Sequence, residues 1–255
     1  MENLDVRDID FSKLEILDVL SSEGTLYYDD KLFYKFYDQI INIKDKEQKL
    51  MLLNDNPHNL NAVIPHILIK NKNLTTGCAM NYIKDANSLI SYKKRDNYIP
   101  LLYEVSESLM EIHNDPRNIV VGDLHFNNIL VDKDKKHYFI DFDSCMVGNI
   151  KEDRLPNSLL SYIKSLGGFD FDVNSNTDRF CMILSFINSM FDKFILGLSM
   201  YDYDEKAEQI YTLKNLRKYV IDIQKAINNI PYVPYLHEVI SEKEMSYVKK
   251  NRNIK

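Results

Sequence analysis

Glycine is scarce in this 255-residue chain, and its placement excludes two nucleotide-binding devices at once. The glycines fall at Gly24, Gly77, Gly122, Gly148, Gly167, Gly168 and Gly197. No two stand in a GxGxxG frame and none opens a GxxxxGKS/T loop, so both the dinucleotide-binding fingerprint and the Walker-type phosphate loop are absent. Cysteine is scarce too. Cys78, Cys145 and Cys181 form no CxxC pair and are too few for a disulfide scaffold, which points to a reducing, cytoplasmic setting. The acidic start, MENLDVRDIDF, lacks the apolar core of a secretory leader, so none is expected. The most apolar stretch, Phe180–Met200, is broken by Asn188, Asp192 and Lys193, and no membrane span is expected either. A net charge of -6 argues against broad nucleic-acid binding.

What is present is an ordinary globular composition, 45% hydrophobic and 27% charged, with enough chain for one large domain or two small lobes. The first eighty residues read mainly as strands. Leu14–Leu20, Thr25–Tyr28 and Leu32–Tyr37 are short apolar or aromatic runs, with a turn cluster at Ser21-Ser22-Glu23-Gly24 and a hairpin tip at Asp29-Asp30-Lys31. Lys44–Leu53 changes to helical spacing, and Ile64–Lys70 and Thr76–Ile83 return to strand. The expectation is a lobe of five strands and one helix over residues 1–83.

From Tyr98 the pattern turns helical. Pro100–His113 carries Leu102, Val105, Leu109 and Ile112 on one face. A small hairpin, Ile129–Val131 and Tyr138–Ile140, follows. Helices are then expected over Asn157–Lys164, Thr177–Phe194 and Glu205–Asn229, with a short one after Pro234. The predicted class is α+β and bilobal, a small β-rich lobe joined near residue 84 to a larger helical lobe over 84–255.

The chemistry concentrates in Ile119–Ser144, IVVGDLHFNNILVDKDKKHYFIDFDS. Asp123 and Asn128 share a loop, and Asp141 follows the second strand of the hairpin. A carboxylate and an amide beside a second carboxylate suit Mg²⁺, which takes hard oxygens from one or two carboxylates plus substrate phosphates. The remaining carboxylate can accept a proton from an attacking hydroxyl.

This D-x-x-x-x-N loop followed by D-F resembles the protein-kinase-like superfamily, and further landmarks follow in order along most of the chain. The resemblance implies a bilobal kinase-like fold, ATP and Mg²⁺ as cofactors, and transfer of a phosphoryl group. Lys35 in LFYKFY stands where the family holds the nucleotide phosphates, and Glu47 where the family has the acid that pairs with that lysine. Gly24 is what remains of the phosphate-covering loop. Met80 stands as gatekeeper, with the backbone of Asn81–Ile83 facing adenine. Asn128 and Asp141, with Asp143 as an additional oxygen, would bind the metal. Asp123 would receive the hydroxyl proton, and His125 would hydrogen-bond the transferring group. His113 closes its helix as a structural residue, and Asp178 stands where the family anchors the catalytic loop.

Three departures bear on function. One glycine replaces three in the phosphate loop. Val121-Gly122-Asp123 replaces His-Arg-Asp, and Asp123-Leu124-His125 is similar to the D-x-H of aminoglycoside and choline phosphotransferases. Asp143 replaces the glycine of D-F-G. The expected activity is therefore phosphoryl transfer from ATP to a hydroxyl, first as an atypical bacterial-type Ser/Thr protein kinase. The alternative is a small-molecule kinase, and a catalytically silent scaffold comes third. The expected partners are ATP and a protein or small hydroxyl-bearing substrate.

Overall fold

Strand alternation organises the N-terminal half. In the computed structural model, which describes residues 1–17, 23–38, 43–55, 60–95, 97–152, 155–157, 159–161, 173–191, 199–217, 232–241 and 244–245, six strands form one sheet. They are β1 (Glu2–Asp5), β2 (Glu15–Ile16), β3 (Gly24–Tyr28), β4 (Leu32–Tyr37), β5 (Ile67–Asn71) and β6 (Leu74–Asn81), in the order β1-β5-β6-β4-β3-β2. All pairs are antiparallel except β1 on β5. Tyr34, Ile67, Ile69 and Ala79 occupy one face, covered by Leu4, Val6, Ile9 and Leu14 of the N-terminal segment. Leu68, Cys78 and Met80 point the other way, into the main core. Lys35 lies between Tyr34 and Phe36 and pairs with Cys78, so the period-two alternation turns it toward that main core.

The hairpin β3–β4 is closed by Asp29, whose side chain accepts from the backbone N–H groups of Lys31 and Leu32, both at 2.7 Å. Gly24 sits opposite Tyr37 at its open end. A Cβ there would lie 1.7 Å from the Phe36 carbonyl oxygen, so the residue is fixed by backbone approach within the sheet.

Helix α1 (Ile43–Asn54) buries Lys46, Lys49, Leu50 and Leu53, a stripe at helical spacing in which two positions are lysine. Its last turn is tied down by Asn54, which donates to the carbonyls of Leu50 and Pro65 at 2.8 Å, and by Arg117 donating to the Leu53 carbonyl.

Helix α2 (Tyr98–His113) accepts Pro100 in its first turn, where backbone N–H groups have no partner in the helix to lose. Short strand β7 (Asn87–Ser88) precedes this helix, and β8 (Ile119–Val120), β9 (Ile129–Val131), β10 (His137–Phe139) and β11 (Met146–Val147) follow it. They form a three-stranded sheet, β10-β9-β7, and a two-stranded one, β11-β8. Helices α3 (Ser175–Phe191), α4 (Met200–Ala207) and α5 (Leu236–Val239) lie further along the chain. One hydrophobic core runs from Leu50, Leu68 and Met80 through Leu102, Phe139 and Phe142 to Phe186 and Leu236. The two halves are also stitched by backbone bonds between Phe139 and the segment Asn61–Val63, each 2.8 Å.

The class is α+β, as expected, with two differences in detail. The sheet has six strands instead of five because Glu2–Asp5, polar by composition, gains its strand by pairing in parallel with β5. The helix expected over Glu205–Asn229 is interrupted, since α4 ends at Ala207 and a turn follows before helix resumes over 211–217, while residues 218–229 lie outside those described. Most of the helix expected at Asn157–Lys164 lies outside them as well. Cys78, Cys145 and Cys181 are free thiols, all buried. Among the described residues no helix is long and apolar enough to cross a membrane.

The contact at Gly24 makes Gly24→Ala a test of the sheet. The added methyl must push β3 away from β4, and urea unfolding is expected to report a loss of about 2 kcal/mol or more.

Candidate functional site

Lys35 projects from β4 into a cluster of buried charges. Its ammonium lies 2.6 Å from Glu23 Oε2, 2.6 Å from Asp141 Oδ1 and 3.1 Å from Asp143 Oδ2. Lys46 enters from α1 and meets two of the same acids, Asp143 Oδ2 at 3.0 Å and Glu23 Oε2 at 3.3 Å. It also donates to Ser144 Oγ at 3.1 Å, and that hydroxyl bonds Glu23 at 3.0 Å. Both lysines, Glu23, Asp143 and Ser144 are buried. Charges this far from water are tolerated only when paired and fully hydrogen-bonded. Here two ammonium groups face three carboxylates, which leaves one net negative charge when all are ionised.

The cluster divides its protons unevenly. Burial raises the Asp141 carboxyl to about 6, against the pull of Lys35. Burial acts on Asp143 in the same direction, but Lys35 and Lys46 together outweigh it and hold Asp143 well below the ordinary carboxylate range. Glu23 is likewise held low by the two lysines despite its burial. Lys35 is desolvated, yet Asp143, Asp141 and Glu23 keep it firmly charged. Asp141 also adopts φ +68°, a left-handed conformation that costs a non-glycine residue energy and that packing must enforce.

A second set of bonds fixes the loop of Asp123. Asp178, buried at the start of α3, accepts from the backbone N–H of Val121 at 2.7 Å and of Gly122 at 2.9 Å. Its Oδ2 also meets His113 Nε2 at 2.9 Å, and His113 Nδ1 reaches the Tyr235 hydroxyl. The anchoring expected of Asp178 is thus formed. Gly122 is needed because its φ is +78° where the loop turns toward Asp123. Within the loop, Asn128 donates its amide to the Asp123 carbonyl at 3.0 Å, leaving its oxygen as an acceptor. The backbone of Ile140 donates to the Asn128 carbonyl at 3.0 Å, which joins this loop directly to the segment carrying Asp141.

His125 lies 3.8 Å from Asp123 Oδ1, and its Nδ1 is buried without a hydrogen-bond partner among the described residues. Burial lowers its pKa, partly offset by Asp123. The ring is therefore predominantly neutral at neutral pH, not the cation that would donate most strongly.

The structure thus brings Lys35, Asp141 and Asp143 into contact, and ties Asp123, His125 and Asn128 into an adjoining loop. Met80 is buried in the core, and Asn81 continues the sheet opposite Leu32. Tyr82 between them and Ile83 donates its N–H to the Lys31 carbonyl at 2.8 Å, and Ile83 packs on the main core. Glu47 is elsewhere. Its carboxylate bonds Lys70 at 2.7 Å and Thr75 at 2.9 Å on β5 and β6, so the expected Lys35–Glu47 pair is not formed. The physical reason is helix phase: the buried stripe begins at Lys46, and the next residue is turned about 100° away. Ser21 and Ser22 of the turn cluster lie outside the described residues.

Glu23, Lys46 and Ser144 are the members that sequence reasoning missed. The signal for Lys46 was present, because Lys46 and Lys49 share the spacing of Leu50 and Leu53 and so occupy core-facing positions. Glu23, Asp141 and Asp143 offer carboxylate oxygens all within 4.8 Å of one another, a hard-oxygen donor set of the kind Mg²⁺ takes. No protein-family model matches this sequence, and no curated protein matches it.

Two measurements follow from these contacts. Asp178→Ala strips two buried N–H groups of their acceptor, and a stability loss of about 3 kcal/mol or more is expected in urea unfolding, with Asp178→Asn intermediate. Asp141 sets a pH dependence. Its folded pKa of about 6 exceeds the ordinary 3.8, so the folded state holds the proton more tightly. The stability this contributes is complete below the lower value and is lost as pH rises through the higher one. The melting temperature of the wild-type protein minus that of Asp141→Asn should fall between pH 4 and 6; a flat difference contradicts the assignment.

Proposed function

We propose that this protein is a bilobal, protein-kinase-like phosphotransferase that moves the γ-phosphoryl group of ATP to a hydroxyl. The observation that carries the reading is the meeting of Lys35 with Asp141 across 106 residues of chain, beside a loop that Asp178 anchors and that holds Asp123 and Asn128. These are the residue types that nucleotide phosphates, a hard cation and an attacking hydroxyl require, in one continuous region.

In this reading Lys35 neutralises phosphate charge once nucleotide enters and draws its ammonium from Asp141. Asp141 and Asn128, with Asp143 or Glu23, would hold Mg²⁺. That ion, when bound, supplies charge neutralisation on the phosphates. Asp123 orients the acceptor hydroxyl and takes its proton, and the Asp178 bonds to Val121 and Gly122 hold its loop in position. His125 adds a hydrogen bond from a neutral ring.

The acceptor is read first as a protein Ser/Thr hydroxyl, as in an atypical bacterial-type protein kinase. A small-molecule acceptor is the second reading, favoured by the contact of His125 with Asp123 in Asp123-Leu124-His125. The experiment uses ATP labelled at the γ-phosphate, with Mg²⁺ and a bacterial extract, dialysed or undialysed. Label in protein bands supports the first reading. Label only in small molecules, and only in undialysed extract, supports the second. Asp141→Ala is expected to lower transfer at least about a hundredfold, and a fully active Asp141→Ala overturns the proposal.

A further inference from the structure

The buried lysine of α1 is left without a task in the mechanism above. Lys46 is wholly inaccessible to water, and a lysine goes there only where carboxylates receive it. Its ammonium is held by Asp143, Glu23 and Ser144, and it stands over the Tyr37 ring at 5.1 Å. Lys35 shares the first two of these partners. Glu23 and Asp143 therefore act as bridges between a lysine on the sheet and a lysine on the helix. The bridge has a geometric consequence. Moving α1 outward would withdraw the second cation from Glu23 and Asp143, and both carboxylates would then bear on Lys35 alone. Glu47, which faces Lys70 and Thr75, has no part in this coupling.

We infer that Lys46 is the positioning residue of this site: it holds α1 against Glu23 and Asp143, and through them leaves the Lys35 ammonium free to turn from Asp141 to a nucleotide phosphate. The inference rests on the phosphotransferase reading and extends it. The helix docks by a cation on two acids, so the acids belong to the sheet edge and to the turn after β10. Occupation of Glu23 and Asp143 by Lys46 lowers the negative charge that the nucleotide phosphates meet on approach. Lys46 touches neither phosphate nor acceptor in this scheme. It sets affinity by positioning Lys35 and by charge balance.

The test measures binding of a fluorescent ADP with Mg²⁺ to the full chain, with thermal unfolding recorded in parallel. Lys46→Met is expected to weaken nucleotide affinity by about tenfold or more, in the range seen when supporting groups behind a ligand-binding side chain are removed. Glu47→Gln is expected to stay within about twofold of wild type, because its partners lie on β5 and β6. Lys46→Met leaves the buried Glu23 and Asp143, with the partly exposed Asp141, facing one lysine. If it does not fold, the double variant Lys46→Met/Glu23→Gln, which removes one charge of each sign, is compared with Glu23→Gln alone and is expected to bind about tenfold or more weaker than that single variant. A folded Lys46 variant with wild-type affinity overturns the inference, because a merely structural ion cluster would alter the melting temperature alone. So does a loss confined to Glu47→Gln. Failure of the wild-type protein to bind Mg-ADP overturns the phosphotransferase reading together with this inference, whereas wild-type binding with unchanged Lys46→Met overturns the inference alone.

Discussion

Two buried lysines meet the buried Glu23 and Asp143 and the partly exposed Asp141 in one cluster, and much of the surrounding architecture is bound by the need to keep them together. A charge in such surroundings is worth several kcal/mol to whatever neutralises it, and removing one partner strands another at a cost of roughly 3–5 kcal/mol. The groups come from the edge of β3, the middle of β4, the first half of α1 and the turn after β10. Each of those elements is thereby held to the others. The cluster is also asymmetric: Asp143 is held ionised by both lysines, while Asp141, desolvated and paired with Lys35 alone, sits near a pKa of 6. The carboxylate with the weakest hold on its charge is also the one in a left-handed backbone conformation.

Asp178 imposes the second constraint. It answers two consecutive backbone N–H groups and a histidine from two separated parts of the chain, so the Val121–Asp123 turn has little freedom left. The two constraints meet through the backbone bond from Ile140 to Asn128. A shift in either region is felt in the other, and a rigid frame of this kind is what positioning chemistry requires.

Much of this was legible in the linear chain. The alternation in LFYKFY gives Lys35 a defined face, the apolar stripe of Tyr98–His113 gives α2, and the carboxylates at Asp123 and Asp141 stand out beside short strands. The errors are equally specific. The resemblance pairs Glu47 with Lys35, and a phase difference of one residue on a helix, about 100°, sends it to Lys70 instead. Glu2–Asp5 has no strand-like composition, and its extended form comes from pairing with β5. Gly24, which the resemblance places in the phosphate-covering loop, has in addition a steric requirement that no sequence pattern carries, the close approach of the Phe36 backbone.

The sequence by itself determined the strands and helices whose side chains repeat with a period, because periodicity records which face of an element is buried. It also determined the chemical types available to the site. Tertiary structure alone decided which acid faces which lysine. An ion pair depends on the distance between side chains brought together from positions as far apart as Lys35 and Asp143, and no local pattern encodes that distance. Lys46 illustrates the division. Its spacing marks it as buried, but only the folded chain, with Asp143 and Glu23 on either side, gives a buried lysine its reason.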